Sequence, residues 1–322
     1  MLVAKTHDGK LVNALEDDFH LQLETFYCPS CQSPVRLKKG QIKCWHFAHI
    51  AGEQAYCHTE NESEEHLFLK AKLYKTLSKD YDVEIEKYLA KTNQVIDVFV
   101  SPKLALEVQC SSISSSKLTE RSLQYQEQGL YVVWLLGERL WLKKRLSPLQ
   151  RRLLSYSARL GFYLWELDKE REELRLQYLI HEQLNGELVY LTKRCSLAGD
   201  IMALLRFPFQ AKGIVSLKVA CLPSPQTYIQ KQLYYKNPKW LHQQALAYQQ
   251  GKNLLTEPLE SFYPQIRPPQ VSVPNSQIQE KLNSYYHQFE QYYKWQGPRA
   301  FQLLYSPAFY DKMEKKMSRR VV

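Results

Sequence analysis

The sequence predicts an α/β protein: a mixed sheet flanked by helices, preceded by a small metal-binding hairpin module and followed by a basic, largely helical carboxy-terminal domain. Three observations predict it. Four of the seven cysteines crowd into residues 28–57. Between residues 61 and 146 the apolar pattern runs in the order helix, strand, hairpin, helix, strand. From Arg206 onward 16 Lys plus Arg stand against 6 Asp plus Glu, which accounts for the whole net charge of +10. The three segments are placed at 1–60, 61–146 and 147–322. With 322 residues, 44% hydrophobic and 24% charged, the composition is globular and suits two or three domains. The longest uninterrupted apolar run, Leu130–Leu136, is far short of the roughly 20 residues that cross a bilayer. Lys5, Asp8, Lys10, Glu16 and Asp17 come before any long apolar stretch, so neither a membrane span nor a secretory signal is expected and the cytoplasm is the default address.

The amino-terminal segment reads CPSCQSPVRLKKGQIKCWHFAH over residues 28–49. Cys28 and Cys31 form a C-x2-C knuckle, and His46 and His49 follow as H-x2-H, close to the spacing of a small tetrahedral zinc site. The intervening VRLKKGQIK reads as a hairpin turning at Gly40. Cys44, Cys57 and His58 lie within reach and could replace one imidazole, so His46 is the expected but not the sole candidate for the fourth ligand. No acid or base follows the H-E-x-x-H pattern, which favours a closed structural zinc site. Clustered thiols in a chain this long suit a reducing compartment better than a disulfide framework.

Next comes an amphipathic helix over about 63–78, with Leu67, Leu69, Leu73 and Leu77 among charged residues. Glu62, His66 and Lys70, spaced i, i+4, i+8, share one face of it. YDVEIEKYL then alternates as a strand, and QVIDVFV and LALEVQC form a hairpin about Ser101, Pro102 and Lys103. Ile96, Val98, Val100, Leu104, Leu106 and Val108 are all apolar and all even-numbered, so one buried face requires strand partners summing to 204. Val98 then meets Leu106, and Ile96 meets Val108. On the other face Asp97 lies across from Glu107, with Gln109 one pleat further, and the Cβ atoms of the two acids are expected about 5 to 7 Å apart. Two carboxylates so close need a positive charge between them, and a divalent cation is the expected one.

A Ser-rich loop leads into a helix ending at Gly129, with Arg121 and Tyr125 at i, i+4, and LYVVWLL is a strand buried on both faces. From Ser147, LSPLQRRLLSYSARLG has helical period with Gly161 as its stop. FYLWEL, ELRLQYLIH and ELVYLTKR read as strands, the last two joined by the Asn185-Gly186 hairpin signal. Residues 240–253 and 276–296 read as helices, and Pro258, Pro264, Pro268, Pro269 and Pro274 mark a stiff connector between them. Eleven of the 22 Tyr lie beyond Arg206. Flat rings mixed with cations suit phosphates and unstacked bases, so single-stranded DNA is the expected partner of this segment.

The helix acid, the D-x9-E-x-Q hairpin, and the following helix and buried strand resemble the core of the PD-(D/E)XK nuclease superfamily, with Gln109 at the position where Lys is commonest. Together with CPSC…HFAH, ESEEH…K and the R-x3-Y helix before YVVWLL, they resemble the competence protein CoiA family over about residues 1–145. The resemblance implies a nuclease-like fold and a role in natural transformation. It makes Asp97 and Glu107 metal ligands, with Glu62 the helix acid and Glu65 its rival. It implies DNA processing that promotes recombination or, where catalysis is lost, a scaffold that binds single-stranded DNA and loads a strand-exchange recombinase. In such a site carboxylates hold Mg²⁺ or Mn²⁺ against the scissile phosphate, His66 assists as base or shapes the metal shell, and Gln109 hydrogen-bonds the attacking water without carrying charge. Arg121 and Tyr125 border the cleft as DNA contacts.

Overall fold

A computed structural model describes residues 1–16, 25–40, 44–50, 57, 62–271 and 276–318. The candidate ligand His58, Pro274 of the connector and the basic end at Arg319 and Arg320 lie outside them.

The amino-terminal module is a five-stranded antiparallel sheet of β1 (Val3–Lys5), β2 (Leu11–Asn13), β3 (Phe26–Tyr27), β4 (Pro34–Lys38) and β5 (His46–His49), in the order β2-β1-β3-β4-β5. The predicted hairpin is β4–β5, pairing Val35 with His49 and Lys38 with His46. The first strand ends at Lys38 and the second begins at His46, and residues 41–43 between them lie outside the described residues. Among the described residues, eight buried apolar ones, including Ala4, Phe26, Cys28, Val35 and Phe47, form the module's core.

Helix α1 (Glu64–Leu77) starts where Ser63 caps it by accepting from the His66 amide, and Glu64 and Glu65 in its first turn suit the helix dipole. The large sheet follows: β6 (Val83–Leu89), β7 (Gln94–Val100), β8 (Leu104–Gln109), then α2 (Ser115–Glu127) crossing over to β9 (Tyr131–Leu136), which lies parallel to β8. After a 3-10 turn come α3 (Pro148–Leu153), β10 (Ser155–Ser157), β11 (Gly161–Asp168), β12 (Glu173–Glu182) and β13 (Leu188–Ser196). The strand order is β13-β12-β11-β9-β8-β7-β6, with β10 on β11, so the sheet runs straight through residue 147, where the sequence places a domain boundary. Apart from the short α3, the helical character expected of the carboxy-terminal segment begins at α4 (Ile201–Gln210). It continues through β14 (Ser216–Ala220), α5 (Pro225–Tyr234), α6 (Pro238–Gln249), α7 (Ser276–Gln296), β15 (Phe301–Tyr305) and α8 (Pro307–Ser318).

Helices cover both faces of the sheet. On one, Leu69, Leu73 and Leu77 of α1 and Leu204 and Leu205 of α4 pack on Val98, Val100, Leu106, Val108 and Leu135. On the other, Leu118 of α2 and Tyr285, Phe289, Tyr293 and Tyr310 of α7 and α8 pack on Leu136, Phe162 and Leu164. Most of the Tyr on α7 is thus core rather than a binding surface. The helix predicted to end at Gly161 stops at Leu153 instead. Ser155–Ser157 turn extended and pair with β11, which lets Tyr156 pack on Phe162 and Tyr285. The Asn185-Gly186 hairpin forms between β12 and β13, with Gly186 at φ +81. The proline connector is packed against the body: Tyr263 and Ile266 are buried, and Arg267 bridges to Glu182.

The β7–β8 register is the predicted one, with Val98 opposite Leu106 and Val100 opposite Leu104. Ile96 departs from it. Instead of sharing the even-numbered face it packs with Phe99, Ala105 and Tyr125. Across β6 from this point Glu86 takes a positive φ of 51, and the Asp97 carboxylate accepts from the Val108 amide. A side chain occupies the ladder position where Ile96 and Val108 were expected to pair.

Candidate functional site

A cleft of about 520 Å³ opens between the start of α1, the β6–β8 strands and α2. Three carboxylates and a lysine converge on its floor. Lys70, 1% exposed on α1, hydrogen-bonds Glu62, donates to Glu86 Oε1 at 2.6 Å and stands 3.6 Å from Asp97 Oδ1. His66 lies one turn earlier on the same face, with Nδ1 3.2 Å from Glu62 Oε1 and Nε2 3.1 Å from Asp97 Oδ2. Asp97 Oδ2 also accepts from the Val108 amide at 2.9 Å. Glu86 uses its other oxygen to accept from the Leu2 and Val3 amides at 2.7 and 3.0 Å, which ties the amino-terminal sheet to the site.

The charges sustain one another. Burial works against the Lys70 ammonium, but Glu62, Glu86 and Asp97 overcome it and hold it protonated. Burial likewise opposes ionisation of Glu62 and Asp97, yet Lys70 and His66 keep both carboxyls below their usual range. His66, though buried, is raised to about 9 by Asp97 and by its bonds to Asp97 and Glu62.

Glu107 has different company. Fully inside the sheet at 1% exposure, it accepts from Arg121 Nη2 at 2.7 Å and from the Tyr125 hydroxyl. Burial, reinforced by the charge of Asp97, pushes its carboxyl up to about 7 against the opposing pull of Arg121. The positive charge that two facing acids require is therefore supplied by side chains: Lys70 and His66 for Asp97, Arg121 for Glu107.

Several expectations are corrected here. Glu62, His66 and Asp97 offer ligand atoms within 4.8 Å of one another, whereas Glu107 stands outside that group because Arg121 and Tyr125 bind it. Tyr125, expected to meet DNA, is 0% exposed and spends its hydroxyl on Glu107; Arg121 is committed to the same carboxylate. Glu65 is directed to the Glu138 amide at 2.8 Å, which leaves Glu62 as the acid of the cluster. Gln109 lines the cleft with its amide held to the Ser111 carbonyl at 2.7 Å. The sequence pattern does not single out Glu86 and places Lys70 only on a helix face. Nothing in the alternation of VEIEKYL marks Glu86 as inward, since its positive φ is not written in the residue type.

In the amino-terminal module Cys28, Cys31, His49 and Cys57 offer ligand atoms within 4.8 Å of one another, an arrangement that could hold a metal ion. Cys31 Sγ lies 3.2 Å from His49 Nε2 and Cys28 Sγ 3.6 Å from Cys57 Sγ. Cys57 takes the place expected for His46, whose Nδ1 faces the Cys44 carbonyl at 2.9 Å. Strand alternation explains the exchange: His46 and His49 are three apart on β5 and point to opposite faces. Burial raises Cys28 to about 12, while Cys31, despite partial burial, is lowered to about 6 by Ser33, His49 and Cys28. Among the described residues no helix is long and apolar enough to cross a membrane.

Residues 14–60 match the N-terminal domain of competence protein CoiA, and residues 62–198 match its nuclease-like domain. Over 121 residues the chain is 32% identical to competence protein CoiA of Bacillus subtilis (strain 168), covering 36% of this chain and 32% of that relative. The chain thus spans about a third of the length of the curated relative it matches. No solved structure matches.

Proposed function

Because the chain belongs to the competence protein CoiA family, we propose that it is a DNA-processing factor of natural transformation that acts on incoming DNA and promotes homologous recombination. The observation that carries this reading is the Glu62, His66, Asp97 group on the floor of a cleft of about 520 Å³. Two carboxylates and an imidazole form a donor set that suits Mn²⁺ or Mg²⁺. Bound there, such an ion would polarise a scissile phosphodiester and activate water. Around it, Asp97 is fixed by the Val108 amide and Glu62 by Lys70, while Gln109, whose amide donates to the Ser111 carbonyl, lines the cleft without adding charge. The Cys28, Cys31, His49, Cys57 group would hold a structural zinc, since three thiolates and one imidazole are a usual closed set for that ion.

Single-stranded DNA and a strand-exchange recombinase are the proposed partners. For the DNA, support comes from exposed rings beside cations in the carboxy-terminal region: Tyr234 at 80%, Tyr235 at 67% and Tyr248 at 60% exposure, with Lys231, Lys236 and Lys239 on or beside α5 and α6. A second reading, a catalytically silent scaffold that binds single-stranded DNA and loads the recombinase, is favoured by Gln109 at the Lys position and by the commitment of Glu107 to Arg121. Assaying Mn²⁺-dependent cleavage and DNA binding side by side on one preparation separates the two. Cleavage lost in Asp97→Ala with binding retained supports the enzyme. Binding with no cleavage above a mock preparation supports the scaffold, and absence of both overturns the proposal.

A further inference from the structure

Phosphodiester sites of the two-metal kind place their ions about 3.5 to 4 Å apart and bridge them with a shared carboxylate. In this cleft two carboxylates are shared in that manner. Glu62 Oε1 faces both His66 Nδ1 and the Lys70 ammonium. Asp97 presents Oδ2 to His66 and Oδ1 to Lys70. Glu86, from a third chain segment, closes the Lys70 side. The floor therefore has two adjoining cation positions. One is the Glu62, His66, Asp97 group. The other is a cage of three carboxylates, from the start of α1, from β6 and from β7, and an ammonium already fills it.

We propose that Lys70 is a resident second cation, standing where a second metal ion would, so that this site accepts a single divalent ion. This rests on the metal-site reading above and deepens it. Lys70 already offsets part of the negative charge of Glu62, Glu86 and Asp97, and the Met1 amino group 3.0 Å from Glu62 Oε2 offsets more, so little negative charge is left to hold a second divalent ion. The same lysine provides, from the helix side, the fixed positive charge that Gln109 does not bring from the strand. Keeping a fully buried ammonium here has no packing rationale that an apolar side chain would not serve better. Its three partners are what retain it.

The count of bound Mn²⁺ per chain tests this, measured on the full chain by equilibrium titration with the free ion read by electron paramagnetic resonance. Mn²⁺ is chosen because it prefers oxygen and imidazole donors and leaves a thiolate-rich cluster alone. Wild type is expected to bind one ion, Lys70→Met two, and Lys70→Met/Glu86→Gln one again, since the emptied cage then lacks a wall. Circular dichroism first establishes that each variant is folded. Two ions on the wild type overturn the inference whatever the variants do. One ion on both wild type and Lys70→Met overturns it while leaving the metal-site reading intact. No ion on the wild type but one on Lys70→Met removes the reading that wild type works with a metal and overturns the inference that its site accepts one. No ion on either removes both, and two ions on the double variant show that Glu86 is no part of the cage and overturn the inference.

Discussion

Replacing Arg121 by Met should destabilise the protein in a way that depends on pH, because the residue it abandons is a buried carboxyl poised near neutrality. Glu107 is 1% exposed, and its folded value of about 7 lies above the usual 4.5. With a folded value raised above the unfolded one, the stability this group contributes is fully present below about pH 4.5 and is lost as pH rises through about 7. Arg121 opposes that rise, so removing it lifts the folded value further. Below about pH 6 Glu107 is protonated in both proteins. The substitution then costs only the Arg121 hydrogen bonds and its stacking 5.3 Å over Trp134, on the order of 1 kcal/mol. Above pH 7 wild-type Glu107 ionises while the variant resists. The difference should then grow by about 1.4 kcal/mol per pH unit until the variant's own value is reached. Urea unfolding of wild type and Arg121→Met at pH 5.5, 7, 8 and 9 measures it. In a Glu107→Gln background the pH-dependent part should vanish, which assigns it to this pair. A cost that is flat across the range, or one that survives in the Glu107→Gln background, would refute the reasoning.

Other measurements bear on the remaining parts. Zinc content of the purified chain should fall in Cys57→Ser and stay unchanged in His46→Gln; the opposite pattern would restore His46 as the fourth ligand. His66 is raised from 6.5 to about 9, so its contribution, roughly 3 kcal/mol, is complete below pH 6.5 and lost as pH rises through 9. With divalent ions chelated, the unfolding midpoint should drop between pH 7 and 9.5, and His66→Gln should flatten that drop. Tyr234→Ala/Tyr235→Ala should weaken single-stranded DNA binding by about thirtyfold or more, from a stacking loss of order 1 to 3 kcal/mol per base. Wild-type affinity should also fall steeply from low to physiological salt, and equal affinity of wild type and double variant would remove these rings from the interface.

What the sequence made legible follows what period and spacing can carry. Helix α1 was readable because Ser63, Glu64 and the Leu stripe all point to one start and one face. The β7–β8 register was readable because a one-residue slip would turn Val98 out of the apolar face and Asp97 into it, and the structure keeps Val98 opposite Leu106. Ile96 escaped the rule because Asp97 puts a carboxylate into the ladder at that point, a tertiary event with no local signature. The knuckle Cys28 and Cys31 was read from its spacing. The choice between His46 and Cys57 was not, because it turns on which face of β5 meets residue 57, a segment that short-range patterns do not reach.

Composition misled most where it was largest. Half the Tyr beyond Arg206 suggested stacking platforms, yet Tyr263, Tyr285, Tyr292, Tyr293 and Tyr310 are buried, with Tyr285 and Tyr310 at 1 to 2% exposure against the sheet. Their spacing on α7, at 285, 289, 292 and 293 counting Phe289, is that of a helix face turned to a core. Tyr234 and Tyr235, at the end of α5, are 80% and 67% exposed, whereas the equally adjacent Tyr292 and Tyr293 are both buried. What distinguishes a ring left for a partner from one needed for packing is whether another element covers it, which neither abundance nor adjacency shows. The same logic separates Lys70 from the other lysines of α1. At i+4 from His66 and i+8 from Glu62 it falls on the acidic face, and Glu86 and Asp97 close over it from the sheet. A cation on an acid-lined face reads as solvated until the strands that face it are known, and only the fold shows that these strands bring acids of their own.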